Sequence, residues 1–597
     1  MKGRFSFSSC PNSQLTESAY IAHVSFDTQF KYPLEINLFL LNKTTVQKLS
    51  GSASSVGSLS TWAFWLVLIV VWLATLGYRA LIHPDEGRYA ELSLGMLQSG
   101  DWVTPRLNGI LYFEKPALQY WMGALSYQIF GINEFAARFW PGLTGLLSVF
   151  VIGLTARRLW GAGHFAALIM AGSFWVIGNS HFLTLDAGLM FFLALTLCSF
   201  LWAQQDGATP RERCYGMWVA WAAMAGAMLS KGLVGLLIPG CSLVIYSLTN
   251  RQWSVWRRMQ WLSGSAIFVV LAGPWFWLVS SRNPGFASFF FIHEHFARYL
   301  TNEAQREGPF WYFIPLLLVG FLPWTSLLPR LIREGWPCRE ELVFQPERFL
   351  LVWTAFVFVF FSLSHSKLPS YILPLFPALA LMLGKTLIHA RAAELKRHLW
   401  LPMVLWGLIA CSYPFARFSV SPETPLSVMQ HFALFLAAGG VGFLFCATLA
   451  LRFLAQDKIR LAIMLLTAGS LWGVSASIIG HNEFGQLKSG KAIAGQVKEY
   501  IRPDTEIFTI HNAYDQTLPF YLRRSVIQVD YQDEFEFGQK VEPWKASPTL
   551  SEFIARWKSS PNPIAMMNKQ VFRDLKEQGV DMKTVYEDAR RMAVIKP

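Results

Sequence analysis

Residues 117–131 read ALQYWMGALSYQIFG, and whether this stretch crosses the membrane decides how the rest of the chain is threaded. A helix needs about 20 apolar residues to cross a hydrocarbon core of about 30 Å. This run is shorter and is interrupted by Gln119, Ser126 and Gln128, which suits a juxtamembrane helix lying in the interface. Longer apolar runs lie on either side, at 61–80, 136–156, 163–181, 186–204, 216–230, 232–249, 261–281, 311–330, 347–364, 371–389, 398–416, 431–453 and 459–480. With 117–131 left out, the arginines at 157–158, 211–213, 251–258, 330–339 and 391–397 all fall on one side, as cytoplasmic loops require. The N-terminus is then inside and the C-terminus outside. Counting 117–131 as a span would move Arg157 and Arg158 to the outer face, against that rule.

Composition agrees with a membrane solvent: 53% of the 597 residues are hydrophobic and only 15% are charged. The net charge of +13 follows from topology, because the cations are spread over separate loops and form no single face that would bind nucleic acid. None of the seven cysteines falls in an outer loop, so disulfides are not expected. Three domains follow. Residues 1–58 are a polar extension, expected to be disordered, without the charged segment and apolar core of a signal peptide. Residues 59–482 are an all-α polytopic membrane domain of about thirteen transmembrane helices. Residues 483–597 are a small α/β domain in which EIFTI (506–510), SVIQV (525–529) and PIAMM (563–567) read as buried strands, with helices near 490–500, 515–523, 550–558 and 569–578. After an odd number of spans this domain sits outside.

Ionisable groups at span ends mark function in a membrane protein, and here they gather on the outer side. Loop 83–116 carries Asp85 and Glu86, then Arg88 and Glu91 at helical spacing, and ends in Glu114 and Lys115. Asp85 and Glu86 also read as the acidic start of a helix after Pro84, which explains two acids but not their company. Asp186 opens the fourth span, where it is either a cap or a working acid. Lys231 falls in a tight outer turn, from which a lysine also snorkels to the interface. His293, Glu294, His295 and Arg298 follow the seventh span; Glu294 and Arg298 form an i, i+4 pair on a helix, and the histidines make a weak metal signature lacking a third fixed-spacing ligand. Lys367 and Tyr371 lie at the outer edge between the ninth and tenth spans, where a tyrosine is a common anchor.

Taken together, HPDEGRYAE, GDWVTPRLNGILYFEKPALQYW, LDAGL, FFIHEHFARY, EGPFWYFIPLLLVGFLPW and SKLPSYILP resemble the bacterial lipid A aminoarabinose transferases. These belong to the wider superfamily of polyprenyl-phosphate-dependent glycosyltransferases of the GT-C fold, which includes the protein O-mannosyltransferases. The likeness runs from about 62 to 390. It implies that Asp85 and Asp186 are the signature acids, that Lys115 contacts the carrier phosphate with Arg298 and Tyr371 lining the same pocket, and that Glu114 can join a metal site near His293 or His295. A divalent metal such as zinc is an expectation of that likeness; a nucleotide cofactor is not. The implied partners are an undecaprenyl-phosphate-linked sugar, a lipid A acceptor and membrane lipid, at the periplasmic face of the inner membrane. The C-terminal domain does not align with assurance, and the N-terminal extension is foreign to the family.

Cleaving a sugar–phosphate bond leaves a lipid phosphate whose charge needs neutralising, so cations should face it. Direct displacement inverts the anomeric carbon. With a lipid A phosphate as acceptor the nucleophile is already anionic, and Asp85 and Asp186 orient it or hold the amino sugar; with a protein hydroxyl one aspartate must act as general base. Glu86, Arg88, Lys231 and Lys367 are further candidates for the acceptor or sugar site. A lipid flippase is the reading from another class, but it calls for charges along a mid-membrane path.

Overall fold

The computed structural model describes residues 55–297, 308–337, 343–421 and 424–597, so nearly all of the polar extension 1–58 lies outside the described residues. Helix α1 (Ser55–Ala74) leads to α2 (Asp85–Ser99), a hairpin of β1 (Arg106–Leu107) and β2 (Ile110–Leu111), and α3 (Leu118–Phe130). The stretch on which the threading turned is α3. It has 13 residues and is not among the helices long and apolar enough to cross a membrane. Gln119, Tyr120 and Tyr127 on it are buried, and it packs on α2: Tyr120 stacks on Tyr89, and the Tyr127 hydroxyl donates to the Ala90 carbonyl.

Next come α4 (Glu134–Trp160), α5 (Gly163–Gly172), α6 (Phe174–Ser180), α7 (Asp186–Gln204), α8 (Pro210–Lys231), α9 (Val234–Asn250), α10 (Ser254–Arg257) and α11 (Trp261–Arg282). Among the described residues, 7 helices are long and apolar enough to cross a membrane, or up to 9 if each of two bent pairs is one span. The seven fall on the expected spans 136–156, 186–204, 261–281, 347–364, 371–389, 431–453 and 459–480. The other expected spans take different forms. Those at 61–80 and 232–249 are shorter apolar helices, and 216–230 lies within α8, whose first turn carries Arg211, Glu212 and Arg213. Expected span 311–330 turns by 111° between Phe313–Gly320 and Thr325–Gly335, with Pro323, which has no N–H to donate, in the break. A 68° bend divides 398–416.

The break in 163–181 falls at Ser173, between α5 and α6, and shows how the fold tolerates such interruptions. In a low-dielectric interior every freed backbone group must find a partner. The Leu168 and Ile169 carbonyls at the end of α5 accept from the Thr467 hydroxyl and the Trp324 indole, and the Phe174 N–H donates to the Leu322 carbonyl of the other break.

The C-terminal domain is a five-stranded sheet in the order β4-β3-β5-β7-β6, where β3 is Ile507–Ile510, β4 Ile527–Val529, β5 Ile564–Asn568, β6 Lys583–Glu587 and β7 Arg591–Ile595. The three expected strands form its parallel half, and β6 and β7 add an antiparallel hairpin that the sequence reading did not include. One face packs on the domain's own Phe553 and Trp557; Ile507, Ile564 and Met566 on the other join a core shared with α2, α3 and the β1–β2 hairpin. A sheet covered on both faces needs continuous apolar strands, and β3 is buried at all four positions.

Two contacts fix this domain, one onto α2 and one onto the turn of the β1–β2 hairpin. A Cβ at Gly87 would lie 2.4 Å from the backbone of Gln516 and Thr517, so only glycine permits the approach. The Asn108 amide both donates to the Val526 carbonyl and accepts from the Val526 N–H. The start of α2 is held from below by a buried ion triad: Glu86 accepts from Arg79 and Arg138, and also from the Ile82 and Leu183 N–H groups.

Candidate active site

The starts of α2 and α7, the end of α8, the segment before α3 and the turn leading into Pro369–Ile388 surround a cavity of about 500 Å³. Asp85, Arg88, Glu114, Lys115, Asp186, Lys231 and Tyr371 all line it. An arm of it, bordered by α6 and by the helices Leu426–Ala455 and Ile459–Gly480, is walled by Phe174, Trp175, Phe182, Phe432, Val474 and Ile478 together with the polar Asn179, Ser477 and His481. At Gly178 in that arm a Cβ would meet nothing within 4 Å.

The charges are arranged in pairs with different duties. Lys115 donates to Glu294 at 3.0 Å and to the Glu114 carbonyl at 2.8 Å, with the Glu114 carboxylate at 4.0 Å. Glu294 lies on a π-helical segment, Ser288–Ala297, whose wider turn brings it toward Lys115. Asp186 pairs with Lys231, whose ammonium sits 4.7 Å from the centroid of the Tyr371 ring. Arg88 donates to Asp85 at 2.8 Å and to Glu534 of the C-terminal domain, and Gln516 holds the other Glu534 oxygen at 2.9 Å. Asp85 is 43% exposed and Asp186 only 9%. Both acids line the cavity and both are paired; the Asp85 carboxylate beside Arg88 is the more open to it, and Asp186 is nearly buried against Lys231.

Burial raises the Glu534 carboxyl above its ordinary value, although Arg88 works against it. Burial likewise pushes the Tyr89, Tyr112 and Tyr120 phenols far up, so they stay neutral donors. The hydroxyls of Tyr112 and Tyr120 are buried with no partner among the described residues, within electrostatic reach of Arg88 and Glu114. Glu534, Gln516 and this tyrosine layer are the site elements that the sequence reading missed.

Among the described candidates, Glu86, Lys367 and His293 do not line the cavity. Glu86 is a structural acid: burial alone would raise its carboxyl, but Arg138 and Arg79 override that and hold it well below the usual carboxylate range. The Lys367 ammonium is buried and donates to the Ser364 carbonyl at 2.5 Å. Arg298 and the side chain of His295 lie outside the described residues, so the i, i+4 pairing of Glu294 with Arg298 is not described; the described partner of Glu294 is Lys115.

Of the expected metal donors, Glu114 and His293 are described, and the side chain of His295 lies outside the described residues. Both Glu114 and Glu294 turn toward the Lys115 ammonium, and the His293 ring is 54% exposed with its nearer nitrogen 3.7 Å from Glu294. Among the described residues no three His, Cys, Asp or Glu side chains converge.

Residues 58–290 match the family model of dolichyl-phosphate-mannose-protein mannosyltransferases, and residues 493–596 match that of the aminoarabinose transferase C-terminal domain. A polytopic helical domain with paired acids and cations gathered at one end, beneath a small α/β domain, defines a membrane glycosyltransferase of the GT-C class. The crystal structure of ArnT from Cupriavidus metallidurans bound to undecaprenyl phosphate superposes with a TM-score of 0.86 at 35% identity, covering 91% of this chain and 98% of that one. Undecaprenyl phosphate-α-4-amino-4-deoxy-L-arabinose arabinosyl transferases are similar as well. That of Pseudomonas paraeruginosa is 36% identical over 62% of this chain and 68% of its own length; that of Aeromonas salmonicida is 34% identical over 70% and 78%. The chain belongs to this family of aminoarabinose transferases.

Proposed function

We propose that the protein transfers 4-amino-4-deoxy-L-arabinose from undecaprenyl phosphate to a phosphate group of lipid A, at the periplasmic face of the inner membrane. The observation that carries this reading is one cavity lined both by paired charges and by a row of aromatic and aliphatic side chains, which suits a donor that is a charged sugar phosphate on a prenyl chain. Prenyl units lie along Phe174, Trp175 and Phe432, and the phosphate reaches Lys115. The amino sugar carries an ammonium, for which Asp85 and Glu114 are the cavity's facing carboxylates.

In the transfer an acceptor phosphate oxygen attacks the anomeric carbon while the bond from that carbon to the donor phosphate oxygen breaks. The configuration inverts and undecaprenyl phosphate departs with the electron pair. The departing oxygens gain charge, and Lys115 is already oriented by Glu294 to meet it, so little reorganisation is needed at the moment of reaction. An anionic acceptor needs no strong base, which leaves Asp85 to hold the sugar or orient the acceptor. No step is routed through a metal.

Purified protein supplied with the aminoarabinose lipid donor should modify lipid A and leave a serine- or threonine-containing peptide unmodified, read by mass spectrometry. Lys115→Met should lower the rate by about 10²–10³, the usual effect of losing one charge-stabilising donor. Sugar appearing on the peptide and not on lipid A would overturn the acceptor assignment.

A further inference from the structure

A second cavity, of about 270 Å³, borders the same helices α7 and α8 but shares no lining residue with the first. Leu197 and Phe200 of α7, Trp221 of α8, Gly240 of α9, Trp256 of α10 and Trp353 of the helix Pro346–Leu363 line it. Asp186 and Lys231 of the first cavity stand at the start of α7 and the end of α8; the second cavity borders Thr196, Leu197 and Phe200 of α7, residues 217–224 in the middle of α8, residues 236–244 of α9 and the start of Pro346–Leu363. The two sites are therefore lined by different residues, and the second plays no part in the transfer described above.

Its walls are almost wholly apolar. Thr196, one of the few polar residues lining it, spends its hydroxyl on the Phe192 carbonyl of its own helix. Leu236, Gly240 and Val244 form an i, i+4, i+8 stripe open to the outside, and a Cβ at Gly240 would meet nothing within 4 Å. The groove thus has a notch where a side chain is missing. At its mouth the Trp256 and Trp261 rings stack 5.7 Å apart, with Trp253 exposed beside them, and tryptophan in such numbers marks headgroup level. Arg251 and Arg257 flank these tryptophans in the chain; both are exposed, and neither pairs with an acid among the described residues, whereas Arg258 is turned inward to the Gln204 carbonyl and Asp206.

We propose that this groove binds one acyl chain of an anionic phospholipid from the leaflet facing the arginine-rich loops, with the lipid phosphate held by Arg251 and Arg257. The chain fills the notch at Gly240, and the tryptophans set the depth of the headgroup. A zwitterionic lipid of the same chain length gains the apolar contact but lacks the net negative charge that two exposed guanidiniums favour.

Native mass spectrometry of the full-length protein tests this, using dioleoyl phosphatidylglycerol against dioleoyl phosphatidylcholine. The wild type should retain the glycerol lipid roughly tenfold to thirtyfold more tightly, the factor that two interfacial arginines supply. The double variant Arg251→Gln, Arg257→Gln should bind the two lipids alike. Gly240→Phe, which fills the notch at a helical position that accepts a side chain, should lower retention of both lipids while leaving sugar transfer and melting temperature unchanged. Equal retention of the two lipids by the wild type would overturn the proposal, as would unaltered retention by Gly240→Phe. Displacement of the glycerol lipid by undecaprenyl phosphate would overturn it in favour of a prenyl-chain site.

Discussion

Asp85 and Asp186 are equivalent in the sequence, each an acid at the outer end of a helix, and the structure separates them. The exposed carboxylate of Asp85 faces the cavity, so Asp85→Asn should fold with an unchanged melting temperature and lose activity by about 10²–10⁴, the range for a positioned acid or base. Asp186 neutralises Lys231 in a mostly buried pair; Asp186→Asn strands that cation and should lower both activity and melting temperature, at a cost on the order of 2–4 kcal/mol. Equal thermal behaviour of the two variants in a detergent-solubilised melt would contradict the distinction. Glu91 bears a different burden. Burial lifts its carboxyl to about 8, against one hydrogen bond from the Asn108 N–H, and its second oxygen has no partner among the described residues. Its folded value lies above its unfolded one, so between about pH 4.5 and 8 the unfolded chain has released a proton that the folded chain retains. Stability then falls with rising pH by about 1.4 kcal/mol per unit from this group. Glu91→Gln should therefore stabilise the protein at pH 8 and make little difference at pH 4.5, measured by thermal unfolding across that range; a gain confined to low pH would reverse the sign.

At the scale of elements, α2 carries Arg88 to the cavity on one side and meets the C-terminal domain on the other. Gly87 makes that double contact possible, because its bare Cα lets the Gln516–Thr517 backbone approach. Gly87→Ala should push that segment away, loosen Glu534 and Gln516 from Arg88, and lower transfer activity while exposing the C-terminal domain to limited proteolysis. Wild-type activity with an unchanged cleavage pattern would show that the domain does not depend on this approach. Spacing made the local parts legible: α2 from its Pro-Asp-Glu start, α3 from its length, and three strands from short apolar runs. Glu534 was not legible, because it meets Arg88 across 446 positions of sequence and no local pattern announces such a pairing. Broken helices were hidden for a related reason. An apolar run reads the same whether its helix is straight or interrupted at Ser173, and only the partners waiting at Thr467, Trp324 and Leu322 permit the interruption.

For the whole molecule, charge placement carried the reading furthest. Arginines on one side and paired acids and cations on the other gave a direction to the bundle before any contact was known, and the cavity then gathered seven of the candidate residues at one end. The chain's function rests on that end joining a lipid-linked sugar to an acceptor in the same membrane. The most direct measurement is mass spectrometry of lipid A from cells that make the aminoarabinose donor lipid but lack their own transferase, expressing this protein intact or as Asp85→Ala. Aminoarabinose should appear on lipid A with the intact protein and be absent with the variant at equal membrane abundance. Unmodified lipid A with the intact, folded protein present, or full modification with Asp85→Ala, would contradict it.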